Sequence, residues 1–270
     1  MPERMPSTVT AERRRFALRL PRPLWIWLAT GVLIVGGVGL RVGITIYRQQ
    51  VAIREIEQLG GHVYFRGGPR WLRNHLDDRL CNLLAKSIPQ LLDDVDMVVL
   101  SGTAANDATL RRMSELSSVT SLHLDRTQVT DSGLMQLKAL PQLGLLVLDD
   151  TQVTDAGLEH LKGITDLEIL LLDNTMITDA GLARLSGLKG LGQLGIADTR
   201  VTDNGLVHLK GMSNLSSLWL DNTQVTDAGL EHLKVMTNLV DLRLKNTQAT
   251  NAGTTELERA LPSVLRPVDK

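Results

Sequence analysis

Aspartates recur at a fixed interval in the second half of the chain and raise the question of a carboxylate-based active site or metal centre. They take one position in five successive 24-residue units: Asp131, Asp155, Asp179, Asp203 and Asp227. Acid–base catalysis and metal binding both need several side chains that converge on one point. Each aspartate instead follows a threonine, just before a segment of helical spacing, where short polar side chains cap free backbone N–H groups. The pattern predicts helix capping.

Histidine, cysteine and sequence motifs supply no other catalytic set. One position of the unit is histidine three times and alternates with Gln136 and Arg184, which predicts an exposed column on the helical side: His160, His208 and His232. The single cysteine, Cys81, excludes an intramolecular disulfide and a cysteine-based zinc or iron–sulfur site. No G-x-S-x-G, H-E-x-x-H or Walker motif is present. We expect no enzyme activity, no cofactor and no metal.

One alternative places an enzyme site before the repeats, in residues 48–94. The only candidate side chains in that segment are His62, His75, Asp77, Asp78 and Cys81. Cys81 lies in an apolar run of helical spacing, so a buried and inert thiol is the simpler interpretation.

Internal repeats organise most of the chain. TQVTDSGLMQLK begins at Thr127, and related segments follow at steps of 24 residues, with a degenerate copy before them. Seven units result, and the first and last are the least regular, as a solenoid requires at its ends. Their first threonines are Thr103, Thr127, Thr151, Thr175, Thr199, Thr223 and Thr247.

Each unit carries two hydrophobic periods. The alternation Leu122-His123-Leu124 predicts a strand with one buried face. Leu134, Leu137 and Leu140 recur at helical spacing and predict the buried side of a short helix. One strand and one helix cannot bury a core alone, so we expect stacked units with a parallel sheet on one side and helices on the other.

The unit L-x-x-L-x-L-x-x-T-x-V-T-D-x-G-L resembles the leucine-rich repeat family, and in particular its bacterial GALA-like subclass and the membrane-anchored repeat proteins of planctomycete-type bacteria. The resemblance covers residues 95–261. It implies an α/β fold, a right-handed solenoid with a concave parallel sheet and convex helices, and partner binding on the concave face. Where many family members carry Asn or Cys after the strand, this chain carries the threonine column, which we expect to hydrogen-bond the turn backbone.

Outward positions of the strands predict a recognition surface. One row reads His123, Val147, Leu171, Gly195, Trp219 and Arg243, and the next reads Asp125, Asp149, Asp173, Ala197, Asp221 and Lys245. Apolar anchors with a polar border are typical of binding surfaces. The predicted binding residues are Val147, Leu171 and Trp219 as anchors, with His123, Arg243, Asp125, Asp149, Asp173 and Asp221 around them, and the acids favour a basic partner. Alternatively, the aliphatic residues only stabilise the strands and the acids keep the face soluble.

A membrane anchor is predicted before the repeats. Residues 24–40 form an uncharged apolar run, which extends to Tyr47 if Arg41 reaches the headgroups. Six arginines lie in the preceding tail, residues 1–23, so the positive-inside rule predicts a cytoplasmic N-terminus and exported repeats. A cleaved signal peptide and a twin-arginine signal at Arg13–Arg15 remain alternatives.

The domain plan is therefore a basic tail (1–23), an anchor (24–47), a cap or linker (48–94), the repeats (95–261) and a C-terminal tail (262–270). Within 48–94 we expect a helix from Gln50 to Leu59 ended by glycine, a strand at His62–Phe65 and a helix over Trp71–Ala85. The alternative for this segment is a separate recognition element.

The charge of the repeat region excludes one class of partner. Residues 95–270 hold 15 basic and 22 acidic residues, which argues against nucleic-acid binding. We predict a membrane-anchored, non-enzymatic module that binds a protein or another cell-envelope ligand. The alternative is a cytoplasmic adaptor that recruits ubiquitin machinery, as GALA-like effectors do through an F-box, although residues 48–94 show no persuasive F-box.

Overall fold

A computed structural model describes residues 44, 47–66 and 94–264 of the chain. The predicted membrane span over 24–47 lies outside this part except at residues 44 and 47, and the predicted basic tail and the helix over 71–85 lie outside it altogether. No helix among the described residues combines the length and apolar character that crossing a bilayer requires. The described residues from 47 onward belong to one compact unit.

Eight strands form a single sheet in chain order. Strand β1 pairs antiparallel with β2, with an irregularity between Tyr64 and Phe65, and every later neighbour is parallel. The sequential order confirms the predicted α/β repeat fold and the predicted strand near residue 62. The strands are β1 (His62–Arg66), β2 (Asp94–Val99), β3 (Ser121–His123), β4 (Leu145–Val147), β5 (Ile169–Leu171), β6 (Gln193–Gly195), β7 (Ser217–Trp219) and β8 (Asp241–Arg243).

A helix connects each pair of parallel strands. Helix α1 covers residues 47–58 before the sheet begins. The others are α2 (Asp107–Met113), α3 (Asp131–Leu134), α4 (Asp155–Leu158), α5 (Asp179–Leu185), α6 (Asp203–Leu206), α7 (Asp227–Leu233) and α8 (Asn251–Ala260). The three four-residue helices continue as 3₁₀ turns: Met135–Ala139, Glu159–Leu161 and Val207–Gly211.

Aliphatic side chains fill the space between sheet and helices. Leu122 and Leu124 of the strand segment and Leu134, Leu137 and Leu140 of the helical segment are all buried, as their two periods predict. A fully buried leucine contributes about 1.5–3 kcal/mol to the stability of the fold. Because these positions recur in every unit, each of which forms one coil of the solenoid, the stacked coils supply the core that one unit lacks.

Helix α1 packs on the first coil. Its Ala52, Ile53 and Ile56 are buried in the same core cluster as the repeats. Gly60 ends the helix with φ of +83°, and the N–H of Gly61 donates to the carbonyl of Ile56. A left-handed residue of this kind satisfies carbonyls at a helix end, and glycine adopts it without steric strain. The helix end predicted here is confirmed.

The threonine column stabilises the turn after each strand. Thr127 Oγ1 donates to the carbonyl of Leu124 at 2.6 Å, and the same bond recurs at Thr151, Thr175, Thr199 and Thr223. These five threonines are buried, so the bond satisfies a hydroxyl and a carbonyl that water cannot reach. The predicted role of the threonines is confirmed.

The prediction that the repeated aspartates cap their own helices is wrong. The cap is the preceding threonine, since Thr130 Oγ1 accepts from the N–H of Ser132 at the start of α3. Asp131 instead accepts from the backbone N–H of Thr154 at 2.8 Å and from its Oγ1 at 2.6 Å, one coil further along. Asp107, Asp155, Asp179, Asp203 and Asp227 each accept the same pair of bonds from the threonine of the next coil. We call this contact the Asp–Thr staple.

A glycine in each helix makes room for the staple. A Cβ built on Gly133 would lie 2.5 Å from Oδ1 of Asp107, the staple carboxylate of the preceding coil. The equivalent glycines, Gly157, Gly181, Gly205, Gly229 and Gly253, meet the same obstruction. The T-D-x-G motif therefore encodes contact between coils as well as a helix start.

Candidate functional site: the strand face

The outward side of the sheet, here called the strand face, is the surface opposite the core. Strand register places His123 beside Val147, Val147 beside Leu171, and so on through Gly195 and Trp219 to Arg243. Neighbouring strands lie about 4.8 Å apart, so these six residues form one continuous row across the sheet. The register therefore places the residues of the predicted row next to one another on one side of the sheet.

Val147 is not an exposed anchor, contrary to the sequence prediction. Only 7% of its surface is accessible, whereas its register partners His123 and Leu171 are half-buried. A short β-branched side chain between larger neighbours is covered by them, and it has little surface left to offer a partner.

Trp219 is held in place by two neighbours on β8. Its indole Nε1 donates to Oδ2 of Asp241 at 3.0 Å, and the guanidinium of Arg243 lies 4.0 Å from the ring centroid. Leu171 and Trp219 both lean over Gly195, because a Cβ there would meet Leu171 Cδ2 at 3.0 Å and Trp219 Cε3 at 3.2 Å. The missing side chain at Gly195 thus lets the two apolar groups approach each other.

A second outward row was missed in the sequence prediction. Register aligns Tyr64, Met97, Ser121, Leu145, Ile169, Gln193, Ser217 and Asp241. From Ser121 onward, each residue of this row directly precedes the buried leucine of its strand. Leu145 and Ile169 are half-buried, and Tyr64 is 52% exposed. The alternation around each buried leucine contained the signal, but only the residue after the leucine was considered. The apolar part of the strand face is therefore two rows wide.

The acidic column has structural partners. Oδ1 of Asp149 accepts from the N–H of Asp173, Oδ1 of Asp173 from that of Ala197, and Oδ1 of Asp221 from that of Lys245. Within the part of the chain that the structure describes, Oδ2 of these three acids accepts no hydrogen bond and forms no ion pair. Asp125 differs, because Ser101 and Arg126 occupy both of its oxygens. Of the predicted acids, Asp149, Asp173 and Asp221 keep a free oxygen and Asp125 does not.

Burial and mutual repulsion disfavour negative charge in this column. Burial is the main factor that raises the pKa of Asp149 to about 6, and the nearby Asp173, Asp125 and Asp150 raise it further. Burial likewise raises the pKa of Asp173, with repulsion from Asp198 and Asp221. A cation placed beside these carboxyls would relieve both effects.

The outward column that follows the acids forms a left-handed turn. Its residues have φ between 54° and 58°, the region that Asn, Asp and Gly tolerate best. They are Arg126, Asp150, Asn174, Asp198, Asn222 and Asn246, and Gly102 holds the equivalent place in the first coil with φ of +68°. The preference for Asn and Asp at this column therefore follows from backbone conformation.

The remaining predicted side chains do not converge. His208 is exposed, His160 and His232 are half-buried, and each lies on a different coil. Among the described residues, no group of three or more His, Cys, Asp and Glu side chains could hold a metal ion. Of the enzyme candidates only His62 is described, on β1, whereas His75, Asp77, Asp78 and Cys81 lie outside the described residues.

Comparison with known proteins gives structural similarities alone. No protein-family model and no curated protein matches the sequence. Among solved structures, the chain is similar to internalin C2 of Listeria monocytogenes, with 22% identity over 67% of this chain and 89% of that one and a TM-score of 0.48. It is also similar to an internalin F of the same species, with 20% identity over 64% of this chain and 54% of that one and a TM-score of 0.48. Internalins are leucine-rich-repeat proteins.

Proposed function

We propose that this chain is a membrane-anchored, non-enzymatic binding module whose strand face holds a protein with a basic surface. The N-terminal tail lies in the cytoplasm and the repeats lie outside it, attached through residues 24–47. The main observation in favour of this proposal is the two-row apolar surface of Leu145, Ile169, Leu171 and Trp219. This surface borders Asp149 and Asp173, each of which uses only one carboxylate oxygen within the described structure.

The apolar surface has the composition of an interface centre. Trp219 is fixed before binding by Asp241 and Arg243, so little side-chain entropy is lost when a partner covers it. Aromatic anchors in such positions contribute a large share of binding energy. Leu171 extends the same surface across Gly195.

The acids favour a basic partner and make binding depend on pH. Asp149 and Asp173 are disfavoured as anions in the free protein, and a Lys or Arg of the partner stabilises the charged form. Because the pKa of Asp149 is about 6, affinity for a basic partner rises as pH increases through that value.

Partner capture tests the strand face. The full-length protein, displayed on beads, is incubated with envelope extract, and the captured protein is then titrated against variants. Trp219→Ala should weaken binding by about 2 kcal/mol or more, the scale of an interface hot spot. Val207→Ala, at an exposed residue of the helical side, is the matched control and should bind normally. Normal binding by a folded Trp219→Ala protein would contradict the proposal.

Protease shaving tests the membrane orientation. Cells with a permeabilised outer layer are treated with protease, and each end of the chain is detected by blotting. The proposed topology predicts loss of the repeats and a protected N-terminal fragment. Protected repeats would reverse the orientation and move the search for partners to the cytoplasm.

A further inference from the structure

A polar groove lies beside the strand face, at the edge where strands β3 to β5 begin. Its volume is about 780 Å³, within the range of small-ligand sites. Gly144 and Glu168 immediately precede β4 and β5, and Leu145 and Ile169 line the groove from the strands themselves. The groove therefore shares two residues with the apolar surface but opens at a different edge.

The fold does not require glycine at the floor of this groove. A Cβ on Gly144 would come no closer than 3.7 Å to the carbonyl oxygen of Asp166, an ordinary contact. Its φ is not among the positive values found in the described residues. Four other coils carry a side chain at the same position, and Gly192 is a second glycine there that lies outside the lining: Thr120, Glu168, Ser216 and Val240 carry the side chains. Gly144 lines the groove between Thr120 and Glu168 of the neighbouring coils, and its missing side chain leaves space there for a ligand.

The lining mixes hydrogen-bond donors and acceptors that the protein itself leaves unused. Within the described part of the chain, the side chains of Gln142, Glu168 and Asn214 make no hydrogen bond or ion pair. The carbonyls of Thr120 and Gly144 already accept two N–H groups each, so the floor offers no carbonyl to an added peptide strand. Recognition in this groove must therefore come from side chains.

Charge at the groove is mixed. Arg66, Asp166 and Glu168 all line it, and Arg66 is paired with Asp96 at 3.5 Å. An amide both donates and accepts, and a carboxylate can accept from two neighbouring hydroxyls. Leu145 and Ile169 add an apolar surface against which C–H groups can pack. This combination suits a neutral ligand rich in hydroxyl groups.

We propose that the groove binds a neutral oligosaccharide segment. Gln142, Glu168 and Asn214 hydrogen-bond its hydroxyls, the sugar rings pack on Leu145 and Ile169, and the chain passes over Gly144. The groove shares Leu145 and Ile169 with the strand face, but Gln142, Gly144 and Asn214 belong to the groove alone, so variants at these three positions test it apart from the protein-binding function proposed above.

Calorimetric titration of the full-length protein with maltohexaose, cellohexaose and chitohexaose tests the inference. At least one oligosaccharide should bind with a Kd below about 5 mM. Gly144→Thr, which copies the residue of the preceding coil, places a side chain where the sugar chain would pass and should weaken that binding about tenfold or more. Gly192→Thr is the matched control, because it places the same residue at the same repeat position two coils away, outside the lining.

A second variant keeps the test independent of folding defects in Gly144→Thr. Gln142→Ala with Asn214→Ala removes two exposed side chains that have no structural partner, and it should also weaken oligosaccharide binding. Hexalysine peptide tests whether the groove binds a basic peptide instead, and Trp219→Ala tests whether the sugar binds on the strand face. The inference is overturned if no oligosaccharide binds, if both groove variants bind normally, or if only hexalysine responds to Gly144→Thr. Loss of sugar binding in Trp219→Ala would place the sugar on the strand face and overturn it too.

Discussion

Replacing Gly181 by alanine should destabilise the protein, although alanine favours helix far more than glycine. The new Cβ would collide with Oδ1 of Asp155 and lie 2.9 Å from Ile177 Cγ2. Asp155 holds Thr178 of the next coil through its backbone N–H at 2.8 Å and its Oγ1 at 2.6 Å. Because the side chain of Ile177 is buried, the carboxylate is the group that has to move.

The expected loss follows from these two bonds. Hydrogen bonds to charged groups contribute about 1.5–3 kcal/mol each, with the lower end suited to a partly exposed pair. Alanine in place of glycine returns about 0.5–1 kcal/mol through helix propensity. We expect a net loss of about 2 kcal/mol in the free energy of unfolding, concentrated at one junction between coils.

Amide hydrogen exchange in the native protein is the sharpest assay, because the Thr178 N–H is one of the two lost donors. A loss of about 2 kcal/mol corresponds to about 30-fold faster exchange at this amide. Urea unfolding followed by circular dichroism measures the global effect. Gly187→Ala is the control, since nothing lies within 4 Å of its Cβ position, and it should be neutral or slightly stabilising.

A double-mutant cycle separates the staple from ordinary crowding. Once Asp155→Ala has removed the carboxylate, adding Gly181→Ala should cost much less than it costs alone, giving a coupling of about 1–2 kcal/mol. The reasoning is refuted if Gly181→Ala stabilises the protein as Gly187→Ala does, or if Gly181→Ala and Asp155→Ala are additive.

Three further changes test the turn, the acidic column and the threonine column. Arg126→Asn replaces the one left-handed residue in the described chain that is not Gly, Asn or Asp, and it should raise the unfolding free energy by about 1 kcal/mol in urea. The pKa of Asp149 rises from 3.8 to about 6 on folding, so the folded state holds this proton more tightly and stability should fall as pH increases across that interval. Asp149→Asn keeps the acceptor and should remove this contribution, and an unchanged pH profile of unfolding would contradict it. Thr175→Val leaves the buried carbonyl of Leu172 without its donor and should lower stability by about 1–2 kcal/mol, measured by thermal unfolding.

Much of the fold could be predicted because each repeat unit carries the hydrophobic period of a strand followed by that of a helix. The alternation around Leu122 indicates a strand, and Leu134, Leu137 and Leu140 indicate a helix, whatever the neighbouring coils do. Repetition at 24 residues then requires stacking, and stacking of one strand per unit requires a parallel sheet. The placement of Leu171 and Trp219 in one row, on either side of Gly195, follows from the same repetition.

The site was less predictable because accessibility depends on neighbours from other coils. Val147 and Leu171 occupy equivalent positions, yet only Val147 is covered, because burial depends on the size of the side chains on adjacent strands. Trp219 is held by Asp241 and Arg243, which lie on the next strand, so these contacts also depend on how neighbouring coils pack. The row containing Leu145 and Ile169 was predictable in principle, since strand alternation places it outward.

The sequence alone determined what each coil contains: its strand, its helix, its buried leucines and its 24-residue period. The tertiary structure decided which atoms meet between coils. The clearest case is the aspartate of T-D-x-G, which looks like a cap for its own helix and instead binds the threonine 23 residues later. Spacing within a unit determines local geometry, such as the bond from Thr127 to the carbonyl of Leu124. The distance and orientation between stacked units arise only when the shared core packs, and they decide the partners of polar groups that reach the next coil.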